Sequence, residues 1–172
     1  MLDDKTTSNE DRLGAVGDIN YAMNTKKINE DLLIYAGDTL TETDLKEMIK
    51  LMKQKKATIT AVKEVELSFI AGRLGCVTKD TTGKIILFEE KPQNPKSKFV
   101  SIPIYLFRKG SLVEIKNCIR ENPKLDNSGD FIKYLIKKHP VYAYVTQGEY
   151  FDIGGKEELN KADKKYGGKG AY

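Results

Sequence analysis

A nine-residue stretch, LLIYAGDTL (residues 32–40), constrains the fold more than any other part of the chain. It begins with five apolar residues and then turns abruptly to glycine and aspartate. A continuous apolar run that ends at glycine is typical of a strand buried on both faces of a sheet. Asp38 would then lie just past the carboxyl end of that strand, where open α/β sheets collect their ligands. For this stretch taken alone, a turn or a helix cap explains Asp38 better than a ligand does.

Helix-like and strand-like segments alternate along the rest of the chain. Helical spacing is predicted for five segments: 13–23, 45–52, 109–121, 130–138 and 156–165. Strand composition is found in 57–65 and 99–107, in a hairpin with its turn at 80–83, and twice within 140–155. We also expect a capping box at 41–44. The alternation predicts an α/β fold with a mixed, mainly parallel, Rossmann-like sheet flanked by helices.

The composition is that of one ordinary globular domain, which we expect over residues 1–166 and followed by a flexible tail at 167–172. The chain has 172 residues, of which 40% are hydrophobic and 31% charged. Its net charge of +4 is mild and both signs are interspersed, so we expect no nucleic-acid partner. We expect no membrane association, since no apolar run approaches a membrane span. Two isolated cysteines, Cys76 and Cys118, favour a reducing cytoplasm over a disulfide framework.

Charged residues follow three of the predicted strands. Asp38 ends the first, Asp152 lies in YFDIGG (150–155), and Glu90 and Lys91 lie in FEEKP (88–92). If these strand ends converge, the two aspartates can share Mg²⁺, which proteins often hold through one or two carboxylates plus substrate phosphates. Lys91 would then face a phosphate and Glu90 would accept hydrogen bonds from sugar hydroxyls. Each segment alone is more typical of a turn or a loop ion pair than of a functional site. Their joint occurrence at strand ends makes a functional site about as plausible as that structural interpretation.

Five short motifs occur in an order that resembles the sugar-1-phosphate nucleotidyltransferases, a family that includes glucose-1-phosphate thymidylyltransferases and mannose-1-phosphate guanylyltransferases. The motifs are LGAVGD (13–18), AGD (36–38), RLGCV (73–77), FEEKP (88–92) and FDIGG (151–155). The resemblance implies that Gly14 contacts the nucleotide base and Gly75 the sugar. It also implies that Glu90 binds the sugar, that Lys91 is the catalytic residue that binds its phosphate, and that Asp38 and Asp152 are ligands of Mg²⁺.

The same resemblance implies a reaction and a missing part. In the family, a sugar-1-phosphate attacks the α-phosphorus of a nucleoside triphosphate, and pyrophosphate leaves. The family's first strand and glycine-rich, arginine-containing loop have no counterpart in this sequence. The resemblance therefore implies an N-terminally truncated domain, impaired or inactive alone, which forms a homo-oligomer or pairs with a separate N-terminal piece. Two alternatives stay open: a non-catalytic sugar-phosphate-binding or subunit-assembly module, and a metal-dependent glycosyltransferase.

Three smaller expectations concern single residues. Pro103 lies within a predicted strand, where proline cannot donate a ladder hydrogen bond, so we expect irregular strand pairing there. SIPIYLF (101–107) resembles a family strand that has a small residue, often glycine, at this position, so the resemblance does not extend to the sugar contact there. We expect Asp130 to act only as a helix cap. The tyrosines at 105, 142 and 144 are expected to be core aromatics and not a base-stacking set.

Overall fold

A computed structural model describes residues 2–122 and 127–167. Most of the predicted flexible tail, residues 168–172, lies outside the described residues. The helices in the described part are α1 (Gly14–Lys26), α2 (Leu45–Lys55), α3 (Leu67–Ile70), α4 (Val113–Glu121), α5 (Ser128–Leu135) and α6 (Lys156–Tyr166). The strands are β1 (Leu32–Tyr35), β2 (Thr39–Thr41), β3 (Thr58–Glu64), β4 (Cys76–Lys79), β5 (Ile85–Glu89), β6 (Phe99–Phe107), β7 (Val141–Val145) and β8 (Tyr150–Asp152).

The large sheet has the strand order β5-β4-β6-β3-β7, with β1 also paired to β6. This arrangement confirms the predicted mixed α/β class. The sheet is mixed, but parallel pairing does not predominate as expected. Among the described strands, β3 and β7 pair in parallel, and the other pairs of this sheet are antiparallel. The reason is that β6 runs antiparallel to all three of its neighbours, and β4 and β5 form the predicted hairpin.

Two different strands share one edge of β6, and this arrangement positions the site. β4 pairs with the beginning of β6, at Phe99 and Val100, whereas β1 pairs with its second half, at residues 104–107. The backbone N–H of Ser101 still donates to the carbonyl of Gly75, and that of Ala36 to the carbonyl of Pro103. The carboxyl end of β1 therefore meets the amino end of β4 beside the middle of β6.

Pro103 lies at an irregularity in the pairing of β6 with β3. Thr60 pairs with Tyr105, but Val62 pairs with Ser101, so the register shifts across the segment that contains the proline. A β-bulge is one of the few places where a strand within a sheet tolerates proline. The expected irregular strand pairing at this position is thus confirmed.

The structure contradicts the prediction that β1 is buried on both faces. Leu32 and Ile34 pack against the core, whereas Leu33 and Tyr35 are each 41% exposed. Leu33 and Tyr35 lie on the face of the sheet that α2 covers, but α2 packs mainly against β3, β6 and β7 and leaves these two side chains partly exposed. Among the described residues, β1 also has no strand paired with its other edge. An apolar run in the sequence does not reveal that one face of the strand lacks a covering element.

Helices cover both faces of the large sheet, and the two larger core clusters lie one on each face. On one face, α1, α4 and α5 contribute Val16, Ile115 and Phe131 to a cluster with Phe107. On the other, Met48 and Met52 of α2 pack with Ile59, Ile102 and Ile104. The predicted apolar stripe of α2 is confirmed. No helix in residues 2–122 and 127–167 is long and apolar enough to cross a membrane.

The N-terminus of α2 differs in detail from the predicted capping box. Thr41 belongs to β2, and the cap is Asp44, whose carboxylate accepts hydrogen bonds from the backbone N–H groups of Lys46 and Glu47. The box at 41–44 was therefore placed one turn too early. Aspartate at the N-cap satisfies backbone donors that the first helical turn leaves without partners.

Candidate sugar-phosphate site

A cleft opens where the end of β1 meets the start of β4. It is lined by residues from β6, from the turn after β5, from the start of α5 and from β8: Arg73, Leu74, Gly75, Phe88, Glu90, Lys91, Ser101, Pro103, Tyr105, Asn127, Ser128, Gly129, Tyr150 and Asp152. Four of the six predicted site residues, Gly75, Glu90, Lys91 and Asp152, therefore share one cavity. Residues that are distant in sequence meet here because the strand ends converge.

Asp38 is exposed and is not among the lining residues, but a two-stranded ladder brings it beside Asp152. Thr39 pairs with Asp152 across β2 and β8, and the N–H of Ile153 donates a 2.8 Å hydrogen bond to the carbonyl oxygen of Asp38. Partial burial raises the pKa of Asp152, and the negative charge of Asp38 raises it further. The two carboxylates predicted to act together are thus close enough to repel each other.

The donor chemistry of this pair fits a hard divalent cation. Two carboxylates supply oxygen ligands, and their mutual repulsion is relieved when a cation lies between them. Within the described residues, no group of three or more histidine, cysteine, aspartate or glutamate side chains is arranged to hold a metal by itself. The arrangement therefore resembles a site that phosphate oxygens and water complete, and not an all-protein cage.

Glu90 is enclosed by two glycines. A Cβ atom added at Gly129 would lie 2.9 Å from Oε2 of Glu90 and 2.8 Å from the ring of Phe88. One added at Gly75 would lie 3.4 Å from the same oxygen and 2.9 Å from the same ring. Any larger residue at either position has to displace the Phe88 ring or the carboxylate. The two glycines therefore leave room for Glu90 to reach the cleft.

The protonation of Glu90 depends on its burial and on its charged neighbours. Burial raises the pKa of Glu90, and the carboxylate of Asp130 raises it further. Lys91 and Lys133 act in the opposite direction and lower the pKa. An acid with a raised pKa in a cleft, flanked by cations, is a common feature of functional sites.

Lys91 supplies positive charge to both acidic groups of the cleft. Its charge lowers the pKa of Glu90 on one side and that of Asp152 on the other. Its backbone has a φ of 43°, in the left-handed region that lysine rarely adopts. Lysine binds phosphate as a compact point charge with three donors, and this position suits an anionic substrate group.

Two hydroxyls from opposite walls meet inside the cleft. The hydroxyl of Tyr105 lies 2.9 Å from Oγ of Ser128, and burial raises the pKa of this tyrosine. Oγ of Ser101 is buried without a hydrogen-bond partner in acceptable geometry among the described residues. Tyr105 is also buried and stacks on Phe107, as expected of a core aromatic. Its ring thus belongs to the core, whereas its hydroxyl faces the cleft.

Not every predicted residue joins the cleft. Gly14 begins α1 with a φ of 70°, and it is not among the described residues that line the cavity.

The prediction that Asp130 caps a helix is wrong, because the cap of α5 is Asn127, whose side chain accepts a hydrogen bond from the N–H of Asp130. The resemblance of NSGDFIKYLI (127–136) to the segment around the family's sugar-proximal loop indicated this wall of the cleft, but it did not single out Asn127, Ser128 and Gly129 as lining residues. Their small and polar side chains at a helix start were the available signal.

Comparisons with known proteins support a common family. The sequence model described as Nucleotidyl transferase matches residues 5–168. Two similar curated proteins are glucose-1-phosphate adenylyltransferases. The protein from Thermomicrobium roseum is 35% identical over 135 residues, which cover 76% of this chain and 31% of the relative. The protein from Desulfitobacterium hafniense is 32% identical over 139 residues, 78% of this chain and 34% of the relative. The chain thus spans about a third of the length of these relatives.

Solved structures share the fold. An apo UDP-glucose pyrophosphorylase superimposes with a TM-score of 0.79 at 20% identity, covering 92% of this chain and 62% of that one. A putative glucose-1-phosphate thymidylyltransferase from Bacillus anthracis, in complex with a sucrose, gives a TM-score of 0.74 at 20% identity. It covers 90% of this chain and 62% of that chain. At these identities the likeness concerns the fold.

Proposed function

Because the chain belongs to the nucleotidyl transferase family, we propose that its cleft binds a sugar-1-phosphate for transfer of a nucleotidyl group. The product would be a nucleoside-diphosphate sugar. The observation that carries the proposal is the convergence of Gly75, Glu90, Lys91 and Asp152 in one cavity, with Asp38 held beside Asp152. The names of the curated relatives, glucose-1-phosphate adenylyltransferases, support a sugar-1-phosphate as the acceptor.

The polar groups of the cleft divide into two sets that suit the two ends of such a substrate. Glu90 and the hydroxyls of Tyr105 and Ser128 offer acceptors and donors for sugar hydroxyls. Lys91 offers positive charge for the phosphate. A phosphate oxygen of the sugar-1-phosphate would attack the α-phosphorus of the triphosphate, the α–β anhydride bond would break, and pyrophosphate would leave with its electron pair. Such a reaction depends mainly on positioning and charge stabilisation.

Asp38 and Asp152 would hold Mg²⁺, which supplies charge neutralisation at phosphate oxygens. The contribution of the chain itself is to fix the two carboxylates relative to each other through the β2–β8 ladder. Lys91 lies within electrostatic range of Asp152, so it links the cation site to the phosphate end of the cleft. We propose Lys91 as the catalytic residue, and Gly14 stays a predicted base contact.

We further propose that a second copy of the chain pairs along the open side of β1. This strand, Leu32–Tyr35, carries no charge and no proline, the features with which edge strands usually avoid pairing. Leu33 and Tyr35 expose apolar surface beside it. Sedimentation should give a dimer, and a monomer with low dye binding to apolar surface would contradict the proposal. A monomer that binds dye strongly would favour a separate partner strand.

Pyrophosphate release tests the proposed reaction. The purified chain is incubated with Mg²⁺ and with panels of nucleoside triphosphates and sugar-1-phosphates, and Asp38→Asn controls for contaminating enzymes. If the chain is active alone, we expect pyrophosphate release with one pair of nucleoside triphosphate and sugar-1-phosphate. The Asp38→Asn variant should show no such release.

The two alternatives give different results in the same assay. Saturable sugar-1-phosphate binding without any pyrophosphate release would favour a non-catalytic binding module. Metal-dependent consumption of a ready-made nucleoside-diphosphate sugar, without a triphosphate, would favour a glycosyltransferase. The cytoplasmic location remains a prediction, and localisation of a tagged chain in its native host tests it.

A further inference from the structure

The local sequence around Lys91 does not explain the left-handed conformation of its backbone. Lys27 and Lys56 also have positive φ, but each is the C-cap of a helix, where this conformation is common. Lys91 instead follows β5 and precedes Pro92, and a residue before proline favours an extended backbone. Both its side chain and its successor therefore disfavour the observed φ of 43°. Such conformations persist when surrounding contacts hold them in place.

One backbone hydrogen bond supplies such a contact. The N–H of Gly72 donates to the carbonyl of Pro92 at 3.0 Å. Gly72 itself has a φ of 68°, and its open Cα side is covered by the amide of Gln93, whose Nε2 would lie 3.1 Å from an added Cβ. The bond ties the segment that leads to Arg73, Leu74 and Gly75, one wall of the cleft, to the turn that carries Glu90 and Lys91.

We propose that Gly72 is a positioning residue, which holds the turn at Lys91 through the Pro92 carbonyl and so directs the lysine into the cleft. The proposal rests on the proposed function for its effect on substrate. Its effect on the geometry of the turn is independent of that function. Lys91 influences the Glu90 carboxyl, which is also faced by Asp130 and Lys133, so this carboxyl reports where the ammonium lies.

The test compares alanine at two glycines of similar backbone conformation. Gly72→Ala introduces a side chain at a φ of 68°. The matched control Gly83→Ala does so at 85°, in the hairpin turn, where the nearest non-neighbouring atom to the added Cβ is the Ala143 carbonyl oxygen at 3.9 Å. Thermal unfolding verifies that both variants fold. Two quantities are then measured for each: the pKa of the Glu90 carboxyl, by ¹³C NMR, and the dissociation constant of glucose 1-phosphate.

We expect Gly72→Ala alone to raise the pKa of Glu90, because the ammonium of Lys91 withdraws, and to weaken glucose 1-phosphate binding about tenfold. Equal behaviour of the two variants in both measurements would overturn the proposal. If the wild type does not bind glucose 1-phosphate, a raised Glu90 pKa in Gly72→Ala still supports the positioning role, and the proposed function fails alone.

A third variant separates backbone conformation from crowding. Gly72→Asn brings a Cβ to the same place as alanine but tolerates the left-handed region far better. We expect it to restore the Glu90 pKa partly towards the wild-type value. Values identical to those of Gly72→Ala would assign the effect to crowding against Gln93 and would overturn the role given to the backbone.

Discussion

The N–H of Ile153 donates a hydrogen bond of 2.8 Å to the carbonyl oxygen of Asp38. This bond joins the ends of two short strands that lie more than a hundred residues apart in the chain. It brings the carboxylates of Asp38 and Asp152 into mutual repulsion, which raises the pKa of Asp152 in addition to the effect of burial. Because a cation would relieve this repulsion, the pair has measurable consequences for metal binding.

Replacing Asp38 by asparagine should weaken binding of Mn²⁺, used as a spectroscopic probe for Mg²⁺, by about tenfold or more. The loss of one negative ligand explains the direction. The same substitution should lower the pKa of Asp152, since the Asp38 charge raises it. Electron paramagnetic resonance gives the affinity and ¹³C NMR the pKa. Glu157→Gln, in the first turn of α6, is the control. Unchanged Mn²⁺ affinity in Asp38→Asn would contradict the proposal that this pair of carboxylates binds the cation.

Replacing Glu90 by glutamine should stabilise the protein more at pH 7 than at pH 4. Burial raises the folded-state pKa of Glu90, so the folded state keeps this proton to a higher pH than the unfolded state does. Stability is then lost as the pH rises from the unfolded pKa through the folded one. Glutamine removes this loss. Urea unfolding at both pH values measures the difference, and a larger gain at pH 4 would contradict the account.

Replacing Gly75 by alanine should destabilise the fold by about 1–3 kcal/mol, because the new methyl group overlaps the Phe88 ring. The added Cβ would lie 2.9 Å from that ring. Gly37→Ala is the matched control, since nothing lies within 4 Å of a Cβ there. Denaturant unfolding of both variants gives the comparison. Equal stabilities of the two variants would mean that the Phe88 ring moves aside at little cost in free energy, and would contradict the prediction.

Replacing Asp44 by alanine should cost about 1 kcal/mol of unfolding free energy, because α2 loses its N-cap. The carboxylate of Asp44 accepts hydrogen bonds of 2.9 and 3.2 Å from Lys46 and Glu47. Thr41→Ala, at the position first expected to cap the helix, should not shorten α2. Amide hydrogen exchange in the first turn of α2 distinguishes the two positions.

The parts of the site that the sequence predicted are those with a local chemical signature. Glu90, Lys91 and Asp152 each stand directly after a strand-like run, and a charge at a strand end is visible in the sequence. Gly129 had no such signature. Its importance arises only when α5 packs so closely on β5 that a Cβ would overlap Phe88, and this depends on tertiary packing.

Two features of the fold were also beyond sequence reasoning. β2 has only three residues, too few for its alternation to predict a strand. Its pairing with β8 depends on contacts such as the hydrogen bond from Thr41 Oγ1 to the Glu149 carbonyl, 108 residues away. The exposure of Leu33 depends on which elements lie beside β1, and the same apolar run would read identically if the strand were fully enclosed.

Binding of glucose 1-phosphate to the ¹⁵N-labelled chain, followed by NMR titration, tests the central claim most directly. The account predicts saturable shifts at Gly75, Glu90, Lys91 and Ser128 that disappear in Lys91→Gln and persist in the control Lys96→Gln. Lys96 lies in the same loop, where it pairs with Glu89. Saturable shifts confined to other residues, or shifts that Lys91→Gln leaves unchanged, would contradict the assignment of the cleft as a sugar-phosphate site.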